Sequence, residues 1–143
     1  FYDLNADPEV IRYTGDPPFQ SVAEATTFIE SYDAYSKAGI GRWAAIDLQT
    51  NAFLGFCGLR RNSEGEVDLG FRFHRHLWGK GYATEASLAC IDYAFNSLKL
   101  KSIIGNVAKE NFASIRVLEK CGFRLEKDMP CESLPGWRYR LIN

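Results

Sequence analysis

Residues 67 to 108 constrain the fold of this chain more than any other stretch. "VDLGFRF" alternates apolar and polar residues as a strand does, placing Val67, Leu69, Phe71 and Phe73 on one face and Asp68, Gly70 and Arg72 on the other. "HLWGKGYATEA" is a glycine-rich turn running into a helical pattern from Tyr82 to about Leu98, with Ala83, Ala86, Cys90 and Ala94 on one stripe and Leu88, Ile91, Phe95 and Leu98 beside it. "SIIGNVA" is a strand again. Strand, turn, helix, strand is a β-α-β crossover, and the wide apolar face of its helix belongs against a sheet.

The flanking segments extend that sheet. "RWAAIDL", "AFLGFCGLRR" and "EVDLGFRFH" are short apolar-rich runs separated by turn residues, which predicts an antiparallel meander. Two helices are expected before it. One opens at Asp7-Pro8-Glu9, and one is capped by Ser21, with Glu24 completing a capping box and Ala25, Phe28, Ile29 and Tyr32 as its apolar stripe. "NFASIRVLEKCGF" reads as a helix with Asn111 as cap and Gly122 as stop, and two strands around Pro135-Gly136 finish the chain. The fold class is therefore α+β: a mostly antiparallel sheet with one central crossover and flanking helices.

At 143 residues, 46% of them hydrophobic, the chain is expected to form a single domain over residues 1 to 143. Seventeen basic and 18 acidic residues leave a net charge of -1, so no global positive field favours nucleic acid or an anionic membrane. Cys57, Cys90, Cys121 and Cys131 lie far apart, with His74 and His76 the only imidazoles, and no metal site is expected. Free thiols in a reducing cytoplasm are the expected state, and no run of about 20 apolar residues suggests a membrane span.

The turn at Gly79-Lys80-Gly81 is not an NTPase phosphate loop, because its spacing is too short and no Ser or Thr follows Lys80. It does precede a helix. The amides of Gly79 to Thr84 then point outward without internal partners and form an anion site, to which Lys80 adds a solvent-screened charge. The alternative is a turn in which the glycines merely supply unusual dihedrals.

"HLWGKGYATEA" resembles the pyrophosphate-binding motif of the GCN5-related N-acetyltransferases. Together with "NFASIRVLEKCGF", "DPEVIRYTGD" and "VDLGFRF" it resembles the RimJ/RimL-type branch over nearly the whole chain. The resemblance implies acetyl-CoA as cosubstrate, cradled at its pyrophosphate by Gly79, Lys80, Gly81, Tyr82, Ala83 and Thr84, with Trp78 packing the turn. His76 stands where the family has Arg or Gln. Phe71, Arg72 and Phe73 are implied beside the pantetheine arm, with a backbone amide there polarising the thioester carbonyl. A first strand upstream of Phe1 is also implied.

Asn111 and Ser114 match the family's residues near pantetheine and the CoA sulfur, although a helix cap and first-turn serine need no further role. Leu118 occupies the position of a tyrosine acid found in many relatives, leaving Ser114 or water for that task. The base that frees the amine is assigned to Asp68, whose alternative is a solvated strand-face carboxylate, with Glu66, His74 and His76 as competitors. The acceptor is expected to be a primary amine, a peptide α-amine or a small amine, entering between residues 12 to 16 and residues 129 to 136. The protein is expected to act as a monomer or homodimer. A CoA-binding module without catalysis is the alternative reading.

Overall fold

Val67 and Leu69 are buried on the helix-facing side of their strand, as the alternation predicts, and they organise the core. A computed structural model describes residues 1 to 143. Six strands, β1 (Arg42–Ile46), β2 (Phe53–Arg61), β3 (Val67–Phe73), β4 (Ser102–Ala108), β5 (Arg124–Asp128) and β6 (Gly136–Ile142), form one sheet in the order β1-β2-β3-β4-β6-β5. Only β3 and β4 run parallel. They are joined through α5 (Tyr82–Asp92), the predicted crossover, while β1-β2-β3 is the predicted meander. α5 packs against β2 and β3, and α6 (Phe112–Lys120) against β4, closing a core that includes Leu59, Leu69, Ile103, Val107 and Leu118.

Four helices rather than two precede the sheet: α1 (Tyr2–Ala6), α2 (Pro8–Ile11), α3 (Val22–Glu30) and α4 (Ala34–Ala38). The two extra helices are 5 residues each, too short to show a periodic stripe. Ser21 caps α3 through the Glu24 amide, but the Glu24 carboxylate accepts from the Gln20 amide at 2.6 Å, one residue short of a reciprocal capping box. Ala25 of the expected stripe is buried, whereas Phe28 and Ile29 remain about half exposed. Phe28 stacks on Phe1 and meets Phe19, and Phe1 reaches Phe56, so an aromatic cluster seats these helices on the sheet face opposite α5. The helix expected to reach Leu98 widens after Asp92 into a π turn over Tyr93–Ser97.

Candidate active site

Strands β3 and β4 pair at one position, Asp68 with Ile104, and then part. Register along β3 determines what faces the gap. The His74 amide donates to the Leu54 carbonyl at 3.1 Å and the Asn62 amide to the Glu66 carbonyl at 2.8 Å, so even-numbered residues of β3 bond to β2. The peptide groups of Phe71 and Phe73 therefore lie on the β4 side, at the mouth of the gap. Trp78 Nε1 takes the Phe73 carbonyl at 2.9 Å, tying the glycine turn to this edge. Phe71 is left with its N–H directed into the opening.

The turn itself follows a short 3₁₀ helix over Arg75–Leu77. Gly79 and Gly81 have φ of +74° and +89°, and a Cβ at either would meet open space, so dihedral demand, not crowding, requires glycine. Gly81 is the N-cap of the 11-residue α5 and offers no side-chain cap. The first amides of α5, at Tyr82, Ala83 and Thr84, thus lack side-chain partners and open toward the cleft. Lys80 and His76 are exposed. The His76 ring stacks on His74 at 5.6 Å, and burial together with His76 pushes His74 below the ordinary histidine range, favouring its neutral form.

Across the gap, the Asn111 side chain accepts the Ser114 amide at 3.2 Å and so caps α6. Ser114 is half-buried and lines the same cleft as the glycine turn. Leu118 is buried against Gly105, a packing role that leaves no polar group at that position.

Beside the aromatic cluster around Phe56, the sheet face opposite α5 carries charged side chains. Asp68 is buried, not solvated: Arg42 Nη2 donates to its Oδ2 at 2.8 Å and Arg60 Nε approaches its Oδ1 at 3.4 Å. Arg42 reaches it across Gly70, where a Cβ would lie 2.6 Å from the Arg42 Cζ. Arg72 turns away from the glycine turn, donating to Asn5 and, at 2.7 Å, to Asp16. Glu66 accepts from Arg138 and Arg140, each at 2.7 Å, and the Arg140 hydrogen bond holds its carboxyl below the usual range. Of the competing titratable groups, Glu66 is thus engaged elsewhere.

These surfaces bound one open cleft of about 1810 Å³. The cofactor residues expected from sequence, Phe71, Phe73, Trp78, Gly79, Gly81 to Thr84, Asn111 and Ser114, all line it, as do Asp68 and Arg72. Lys80 and His76 stand outside its lining. Residues 12 to 16 and 129 to 132 meet over the far end, where Gly15 backs onto Glu132. Arg42 and Arg60, which hold Asp68, were not evident as site residues. Arg60 could have been found from its pairing with Asp68 across the Asn62–Gly65 turn, but Arg42 depends on a close approach over Gly70.

Residues 1–124 match the family model described as "Acetyltransferase (GNAT) domain". The chain belongs to the GNAT acetyltransferases. An uncharacterized N-acetyltransferase, p20, of Bacillus licheniformis is 36% identical over 124 residues, covering 85% of this chain and 70% of that protein. The spermidine N(1)-acetyltransferase of Escherichia coli K12 is 27% identical over 151 aligned residues, 97% of this chain and 74% of its own. The crystal structure of an acetyltransferase from Agrobacterium tumefaciens superposes with a TM-score of 0.81 at 26% identity, over 100% of this chain and 83% of that one. Membership makes acetyl-CoA the cosubstrate and the protein an acyltransferase, in place of the alternative of a CoA-binding module without catalysis. No group of three or more His, Cys, Asp or Glu is placed to hold a metal, and no helix is long and apolar enough to cross a membrane.

Proposed function

We propose that this acetyltransferase moves the acetyl group directly from acetyl-CoA to a primary amine, with both bound at once, in the manner of the RimJ/RimL-type branch. The observation that carries the proposal is the gap between β3 and β4, with unpartnered helix amides at one end and an ion-paired carboxylate on the opposite face. Pyrophosphate sits on the amides of Gly79 to Thr84, pantetheine follows the Phe71–Phe73 edge, and the Phe71 N–H stabilises the developing oxyanion. Thiolate leaves toward Ser114, whose hydroxyl or a water supplies a proton.

Asp68 takes the proton from the amine through water. Two of its roughly four lone-pair sites are occupied, and the Oδ1 contact is long, which leaves a position for that water. The preferred acceptor is an α-amine of a peptide or another small amine, since an α-amino pKa near 8 leaves a carboxylate less work than the ~10.4 of a lysine. The likeness to a spermidine acetyltransferase makes polyamines the competing small amines. Cytoplasmic residence accords with four free thiols. A panel of peptides, lysine derivatives and polyamines assayed with acetyl-CoA tests the assignment: peptide N-termini are expected to lead, and a strong preference for lysine side chains would reject it.

A further inference from the structure

On the strands of the acceptor face the arginines pair one to one with carboxylates except around Asp68, while Glu132 at the cleft mouth has no basic partner. Arg72 is matched by Asp16, and Arg138 and Arg140 by Glu66 and Glu126. Asp68, by contrast, faces two guanidinium groups. Arg42 is the built partner: its side chain is 17% exposed, it meets Oδ2 at 2.8 Å, and it is fixed further by the carbonyls of Gly58 and Asp68. Arg60 is not. Its side chain is 60% exposed, only its Nε reaches Asp68, at 3.4 Å, and its two terminal nitrogens make no hydrogen bond. One positive charge therefore stands unmatched on the cleft floor, presented by the planar fork that suits carboxylate and phosphate oxygens.

The cofactor's phosphates do not supply its partner. Arg60 sits opposite Asp68, at the start of β3, whereas the glycine turn lies beyond the other end of that strand. Phe71 is three residues from Asp68, so the fork stands on the order of 10 Å from the amide assigned to the thioester. That separation fits an acceptor whose reacting amine and anionic group are a dipeptide's length apart.

We infer that the acceptor carries an anionic group and that Arg60 is the residue that selects it. The inference rests on the transferase reading above and narrows its substrate class to acidic amines. An acidic peptide meets the fork with its carboxylate while its amine reaches the gap. A polycation would bring like charge to the same surface.

The test is steady-state acetylation by the full chain of two dipeptide amides, alanyl-glutamate and alanyl-glutamine, which share one α-amine and differ by a carboxylate, with spermidine as the cationic arm. The native enzyme is expected to favour the glutamate peptide at least tenfold in kcat/KM, through KM, with the ratio shrinking in high salt. Arg60→Gln is expected to bring the two peptides within twofold, and Arg60→Lys to fall between, since it keeps charge without the fork. Equal use of both peptides by the native enzyme, or an undiminished preference in Arg60→Gln, would overturn the inference. A preference for spermidine would also overturn it. Binding of acetyl-CoA by calorimetry with no amine acetylated would instead overturn the transferase reading, and this inference with it.

Discussion

Arg42 Nη2 donates to Asp68 Oδ2 at 2.8 Å across the bare backbone of Gly70, joining the edge strand β1 to the strand that borders the gap. The middle residue is part of the contact. A methyl group on Gly70 would occupy the space of the guanidinium, so Gly70→Ala must displace Arg42 and leave Asp68 short of its main partner. The urea midpoint is expected to fall by the equivalent of about 2–3 kcal/mol, from overpacking and weakened pairing together. An unchanged midpoint would show that Arg42 is free to leave without cost.

Asp68→Asn is nearly isosteric and keeps a side chain for Arg42 to bond. It is expected to lower kcat while leaving acetyl-CoA affinity unchanged, with the deficit narrowing as pH rises toward 9 and the amine, of pKa about 8, deprotonates unaided. A pH–rate profile parallel to that of the native enzyme at every pH would remove Asp68 from the proton transfer.

At the phosphate end, backbone should matter more than side-chain charge. Lys80→Ala removes one exposed cation and is expected to weaken CoA binding by about 1 kcal/mol or less. Gly81→Asp forces an L-residue into φ +89° and adds a carboxylate at the helix N-terminus, where we propose that the pyrophosphate binds. Calorimetry is expected to show at least a tenfold loss for it, and near-native affinity would sink the cradle.

Glu66 and Glu126 share Arg140, and both are held below the ordinary carboxylate range by its hydrogen bonds. A depressed folded pKa means that the unfolded chain binds protons first as pH falls. The stabilisation is fully present above the unfolded value of about 4.5 and is lost as pH drops from there through the folded values. Thermal melts between pH 6 and 3 should show the decline, and Glu66→Gln should flatten it. An identical pH dependence in that variant would assign acid sensitivity elsewhere.

The crossover, the meander and the glycine turn were legible because each depends on local periodicity or on residues with special dihedrals. Asn111 was legible as a cap for the same reason, and its bond to the Ser114 amide is present. The charged face was not. Arg42 meets Asp68, and Arg138 meets Glu66, from tens of residues away and only through sheet register, so a reading along the chain finds Asp68 but misses the arginine that buries it. Short helices such as α1 and α4 escape for a different reason, since five residues hold little more than one turn.

Direct transfer in a complex of both substrates is the central claim, and CoA thiol release measured with and without an acceptor tests it most directly. With acetyl-CoA alone the account predicts no burst of thiol. On adding a peptide amine it predicts thiol and acetylated peptide in equal amounts, at a rate that chelators leave unchanged. A burst of one equivalent of CoA before any amine is added would contradict it, because that would mean the acetyl group had first been passed to the protein itself.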